Sequence, residues 1–268
     1  MNQYCPMNSY ALTNLQLFNQ LRDLGYTQED LGRMHCTYEL ARLLFSGQIK
    51  ASGRTQLSHC VRTASILAFY HGPVHLVGAG LIHNVYSRGD FGDGLKGPLA
   101  QRRKFFRERL GSDLEQVIRD FVSLKWNEET LSDFMVGKGS LTYDVVFLQL
   151  AEILEQHLDG DSLYDQKFTK GVFHTKMITP LLIQSAESIG LFSLAQELAR
   201  VKRKNDLPQP YGHLHKRYGN DGGIKVIPPS YRQKYHVDLL RIFGKLVPRT
   251  RRLWSMVFKK KLTHYGLC

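Results

Sequence analysis

Several familiar features are scarce in this chain. No apolar run approaches the length needed to cross a bilayer, because charge, glycine or proline interrupts every candidate. The opening MNQYCPMNSY lacks the basic-then-apolar layout of a secretory leader. Cys5, Cys36, Cys60 and Cys268 are scattered with no C-x-x-C pair, which argues against a zinc ribbon and against a disulfide framework. Together these absences predict a cytoplasmic protein. No segment repeats, and no strand-like alternation stands out. The Gly-rich stretch YSRGDFGDGLKGPLA (86–100) lacks Walker spacing and reads as a connector, with a backbone phosphate cradle as the alternative.

What is present is a helical pattern over an ordinary globular composition, with 43% hydrophobic and 22% charged residues in 268, enough for a real core in one or two domains. Leu12, Leu15, Phe18, Leu21 and Leu24 form a stripe in a helix predicted over 9–24, with Ser9 as its cap and Gly25 as its stop. Thr27 with Asp30 reads as a cap for the next helix, which runs to about Phe45. A helix opening near His59 shows Val61, Ala64, Leu67 and Ala68 on its buried side, and small residues in VGAGLIH (77–83) allow a close helix approach. Further helices are expected from Leu99, from Ser112 (with Glu115 completing a capping box), over Tyr143–His157 and over Pro180–Arg200.

Charge is unevenly placed. From Lys202 to Lys261 there are 16 Lys/Arg against three Asp, so this stretch accounts for the whole net charge of +12. The organisation expected is an all-α domain over 8–200, a Pro/Gly-rich linker over 201–230 that includes His213 and His215, and a basic amphipathic helical extension over 231–268. Tyr231, Tyr235, Leu239, Ile242, Phe243, Trp254 and Phe258 lie among Lys and Arg in that extension. Residues 231–261 therefore read as a docking segment for an anionic membrane surface or an acidic protein, which would place the protein peripherally at a membrane. Nucleic acid is the weaker partner, since no recognition motif accompanies the charge.

The most informative run is GQIKASGRTQLSHCVRTASILAFYHGPVHLVGAGLIHNVYS (47–87). It places His59 early in one helix and His83 late in the next, and an antiparallel helix pair can bring two such histidines together around a metal. With eleven histidines in the chain, two unrelated ones are the competing reading. The run resembles the HD-domain superfamily, most closely the hydrolase domain of Rel/SpoT alarmone enzymes. That family carries a G-Q-x-R-x-S-G segment, a first His, and a His-Asp pair about two dozen residues later. Gly47, Gln48, Lys50, Ser52, Gly53, His59 and His83-Asn84 match it without a gap. The likeness continues through LGSDLEQVIRDFVSL (110–124) to QLAEILEQ (149–156), where the family has K-L-A-D.

The resemblance implies an HD-like helical bundle whose divalent metal (Mn, Fe or Zn) is held by His59, His83, Asn84 and Glu152. Asn84 stands where the family has Asp, offering a carbonyl oxygen but no charge, which weakens the site. Glu152 keeps the charge of the last Asp on a longer stem. Lys50 takes the place of the Arg that contacts a nucleotide base, without the planar guanidinium. Arg54 and Arg62 near His59 are candidate phosphate ligands, or else solvated charges at a helix end. Gln149 and Gln156, a turn either side of Glu152, are candidates for the same cavity. Ser87 and Arg88 replace the acidic pair that orients the attacking water in the family, so alarmone hydrolysis in the family manner is not expected. Two readings stay open: a metal-dependent phosphohydrolase acting on a nucleotide or other phosphate ester, and a catalytically inactive module that binds a small phosphorylated ligand or a protein. A di-iron HD oxygenase, which needs extra histidines between the second and last motifs, is disfavoured because none lies between His83 and Glu152.

Overall fold

The fold is all-α. The computed structural model describes residues 10–50, 52–92, 95–159, 178–206 and 224–225, and the statements below concern these. The linker and basic extension expected over 201–230 and 231–268, with His213 and His215, lie almost entirely outside them. No described helix is long and apolar enough to cross a membrane. In chain order the helices are α1 (Asn14–Asp23), α2 (Gln28–Phe45), α3 (Gln56–Phe69), α4 (Val74–Ile82), α5 (Val85–Arg88), α6 (Ala100–Leu110), α7 (Ser112–Ser123), α8 (Glu128–Met135), α9 (Tyr143–Asp159), α10 (178–188) and α11 (Phe192–Asp206). The two-residue strands β1 (Gln48–Ile49) and β2 (Ile224–Lys225) pair antiparallel, with Gln48 opposite Lys225.

Helix α4 is the centre of the bundle. Every residue from Leu76 to Ile82 is buried, and α2, α3, α7 and α9 surround it. A nine-residue helix can be covered on all sides only if neighbouring backbones come close, and two glycines permit this. A Cβ on Gly80 would stand 3.0 Å from the Ala64 backbone of α3, and one on Gly78 would stand 2.7 Å from Leu114 Cδ1 of α7. The turn from α3 into α4 is held by His71 at φ 59, by the Gly72 N–H on Leu67 O at 2.8 Å, and by the Tyr26 hydroxyl on Gly72 O. The core is one continuous cluster running from Ala11 to Val201, and it includes Val61, Ala64, Leu67 and Ala68 as expected for α3.

Local differences from the sequence reading have clear causes. Helix α1 starts at Asn14, where Thr13 and Gln16 form a reciprocal capping box that Ser9 cannot provide. The face that packs on the core carries Leu17 and Leu21, while Leu15, read as part of the stripe, is 71% exposed. The capping box of Thr27 and Asp30 is present as read. Glu115 completes no such box. It is buried, accepting from Tyr86 Oη at 3.0 Å, Arg103 Nε at 2.9 Å and Arg107 Nε at 2.7 Å, and so pins α6 and α7 to α5. The single helix expected over Pro180–Arg200 is two, because Gly190 adopts φ 81 between α10 and α11. Cys36 is disulfide-bonded, where the sequence suggested no bridge.

Candidate metal centre

Two histidine rings and a carboxylate converge where α3, α4 and α9 meet. His59 sits in the first turn of α3, which Thr55 opens by accepting from the Ser58 N–H. His83 ends α4, and Asn84 links it to α5. His59 Nε2 and His83 Nε2 are 3.2 Å apart. Glu152 Oε1, from the middle of α9, lies 3.6 Å from His83 Nε2 and 3.9 Å from His59 Nε2. The ligand atoms of His59, His83 and Glu152 all fall within 4.8 Å of one another. Both histidines are buried, whereas the Glu152 side chain is 14% exposed, so the centre opens on the Glu152 side. Phe121 covers His83 edge-on at 5.5 Å.

Hydrogen bonding fixes which ring nitrogens face inward. His83 Nδ1–H donates to Gly80 O at 2.9 Å, which turns its Nε2 toward the centre. His59 Nδ1 lies 2.5 Å from Glu155 Oε2. Burial alone would raise the Glu155 carboxyl, but His59, Lys50 and Arg54 outweigh it and hold it down at about 2. Burial keeps His59 below the usual histidine range despite that carboxylate, so the ring is neutral at pH 7. A neutral ring against an ionised carboxylate carries its proton on Nδ1. Its Nε2 lone pair therefore faces His83 Nε2 and needs a donor or a cation there. The Asn84 amide, 2.6 Å from His83 Nε2 and 3.3 Å from His59 Nε2, can donate to both; turned over, it presents its oxygen to the same point.

The donor set fits a divalent ion. Two imidazole nitrogens bound at 2.0–2.1 Å stand roughly 2.8–3.4 Å apart for octahedral to tetrahedral angles, and 3.2 Å is observed. Each histidine also hands its other N–H to a fixed acceptor, one carboxylate and one backbone carbonyl, as metal-bound histidines do.

The other sequence candidates fall around this centre in unequal ways. Lys50 Nζ is 3.2 Å from His59 Nδ1 and 3.8 Å from Glu155 Oε2. Arg54, expected to meet phosphate or solvent, instead bridges Glu155 and Asp159, with its Nη1 at 2.6 Å from each. Arg62 Nη1 is drawn to Asp159 at 3.8 Å, and Ser52 Oγ donates to Asp159 Oδ2 at 3.0 Å. Gln156 Nε2 donates to Glu152 Oε1 at 3.1 Å, and Gln149 is buried a turn earlier on α9. The Gly-rich loop turns carbonyls inward: Leu95 O and Gly97 O accept from Arg102, whose guanidinium lies 3.9 Å over Phe91. Those described residues form a cation socket, not a phosphate cradle. Ser87 Oγ donates back to Asn84 O at 3.1 Å.

Sequence reasoning missed Glu155 and Asp159. The signal was available, since Glu152, Glu155 and Asp159 are spaced i, i+3, i+7 and so share one face of α9.

Residues 41–125, from the end of α2 through α7, match the model of a family described as Domain of unknown function (DUF6817). The match takes in His59, His83 and Asn84 and stops before α9, so it spans less than half of the chain. No curated protein matches the chain.

Proposed function

We propose that this chain is a divergent HD-type metal protein that hydrolyses a phosphate ester, with the ion held by His59, His83 and Glu152 and by Asn84 as a neutral fourth ligand. The observation that supports it most is the inward convergence of His59 Nε2, His83 Nε2 and the Glu152 carboxylate, within 4.8 Å of one another. A divalent ion there supplies an acidified water and polarises a phosphoryl oxygen. Charge favours a phosphate ligand. Three carboxylates (Glu152, Glu155, Asp159) stand against three cationic side chains (Lys50, Arg54, Arg62) in and around the centre, so a divalent ion leaves a surplus of two positive charges. A phosphate monoester dianion cancels it, whereas the family's Asp in place of Asn84 would halve it. Glu155 and Asp159 hold Arg54 until such an anion competes for it.

A second reading is a non-catalytic binding module. It is favoured by Ser87 and Arg88 standing where the family has its acidic pair, which leaves no carboxylate to orient water there. On either reading the basic segment 231–261 is proposed to dock on an anionic membrane surface or an acidic protein in the cytoplasm.

The test is metal analysis of protein purified without chelator, wild type against His83→Ala, followed by turnover of p-nitrophenyl phosphate and a nucleotide panel with Mn²⁺. Near-stoichiometric metal lost in the variant, with turnover, is expected. Metal without turnover on any substrate selects the binding module, and no metal in a folded wild type overturns the catalytic reading and leaves the binding module to be tested with ligands and partners.

A further inference from the structure

We infer that Glu155 is the positioning residue of this centre: it fixes His59 as the Nδ1–H tautomer and turns Nε2 onto the ion, and it links that ring to the loop carrying Lys50 and Arg54. The inference rests on the metal-centre reading above and deepens it. Nothing in the sequence motif assigns Glu155 a role, because the matched positions end at Glu152.

The geometry is that of a ring held between two carboxylates. Glu152 and Glu155 lie on consecutive turns of α9 and approach opposite nitrogens of the same imidazole, Glu152 at Nε2 and Glu155 at Nδ1. The Glu155 side chain is 0% exposed, and both of its oxygens are engaged: Oε1 by Arg54 Nη1 at 2.6 Å, and Oε2 by His59 Nδ1 with Lys50 Nζ beyond it at 3.8 Å. A carboxylate flanked by two cationic side chains stays ionised and can only accept, so the nitrogen it meets must donate. The choice of tautomer is thereby made outside the metal site.

Its placement is also costly to the fold. Taking a carboxylate and its partners out of water often contributes nothing net to stability, and well-packed apolar side chains serve as well or better. Leu148, Ala151 and Leu154 show that α9 buries apolar side chains readily in adjacent turns. A fully buried charge retained at position 155 is therefore better accounted for by what it does to His59. Arg54 extends the connection. Its guanidinium is shared between Glu155 and Asp159, and it also donates to Ser58 O at 3.2 Å in the first turn of α3. An anion that draws Arg54 away from Glu155 therefore acts on the group that orients a metal ligand.

Two measurements test this. The first reads the His59 tautomer in metal-free wild type by two-bond ¹H–¹⁵N correlation, assigned with His59→Gln. The Nδ1–H form is expected; the Nε2–H form overturns the inference whether or not metal binds. The second is Co²⁺ titration, followed calorimetrically and by the visible cobalt spectrum, of wild type, Glu155→Gln and Glu155→Asp. Glu155→Gln, whose amide can accept or donate, is expected to bind Co²⁺ about 10–100-fold more weakly with an altered spectrum, and Glu155→Asp to recover part of the loss. Unchanged Co²⁺ affinity in folded Glu155→Gln reduces Glu155 to a structural ion-pair partner and overturns the inference. If wild type shows the Nδ1–H tautomer yet binds no Co²⁺, the metal reading fails and takes with it the Nε2-orienting half of the inference, and only the tautomer assignment survives.

Discussion

The close approach of α3 and α4 makes Gly80→Ala a sharp test of how the fold builds the centre. Gly80 lies inside α4, where alanine is the better helix former by about 0.8–1 kcal/mol, so propensity alone would stabilise the variant. Against this, the added methyl would stand 2.7 Å from Leu67 Cδ1 and 3.0 Å from both the Cα and N of Ala64. Leu67 can rotate away, but the Ala64 backbone can move only if α3 moves. Overpacking of this kind typically costs about 1–3 kcal/mol, which cancels the propensity gain and leaves a net loss of up to about 2 kcal/mol. The strain falls on the site as well, because α3 carries His59, α4 ends in His83, and Gly80 O is the acceptor that fixes His83 Nδ1–H. Urea denaturation should show a lower midpoint at unchanged slope, and Co²⁺ affinity should fall with it. Gly32→Ala supplies the contrast. It lies inside α2 with nothing within 4 Å of the new methyl, so it should gain about 0.4–1 kcal/mol. If Gly80→Ala is as stabilising as Gly32→Ala, the close-approach account of α4 is wrong.

Three further outcomes follow from the polar contacts and the turns. Glu115→Ala strands the fully buried Tyr86 hydroxyl, which by itself should cost about 1–3 kcal/mol in chemical denaturation, and Tyr86→Phe in the same background should return most of it. His75 Nε2 lies 2.8 Å from Asp144 Oδ2, and this hydrogen bond chiefly holds the ring above its usual range. The stability it contributes is complete below the unfolded value of about 6.5 and is lost as pH rises through the higher folded value, so His75→Gln should remove a fall in stability that sets in as pH rises above about 6.5. Gly190→Ala, forced into φ 81, should lose roughly 1–2 kcal/mol and lower the melting temperature without changing Co²⁺ affinity.

Much of the helical plan was legible because it rests on short-range chemistry. The apolar face of α3, the cap of α2 and the small residues of α4 are written in consecutive side chains, and tertiary packing uses them as written. Failures came where two local solutions compete. Ser9 and Thr13 can each cap the first helix, and only Thr13 has a Gln three residues on to return the bond. Ser112 followed by Glu115 reads as a capping box, but a carboxylate at 115 finds stronger partners in Tyr86, Arg103 and Arg107, none of them within its own turn. Gly190 fits a helix interior until the left-handed conformation of the turn is seen.

The centre divides along the same line. His59, His83, Asn84 and Glu152 could be named from a motif because ligand identity and spacing are properties of the chain. The direction of Arg54 could not, since a basic side chain near His59 is equally suited to phosphate and to a carboxylate arriving from a helix 101 residues later. Burial decides it. Glu155 is closed off from solvent, an unpaired charge there would be far more costly than an unpaired Arg54 at its partly exposed position, and so the protein takes the guanidinium first. An anionic ligand must then compete with two carboxylates for Arg54. The surplus positive charge of a loaded metal centre is the term that would let it succeed, which makes anion binding dependent on prior metal binding. Titration with inorganic phosphate should accordingly give measurable affinity with Mn²⁺ and at least tenfold less without it, and equal affinity in both would show that Arg54 and its neighbours bind anions independently of the centre.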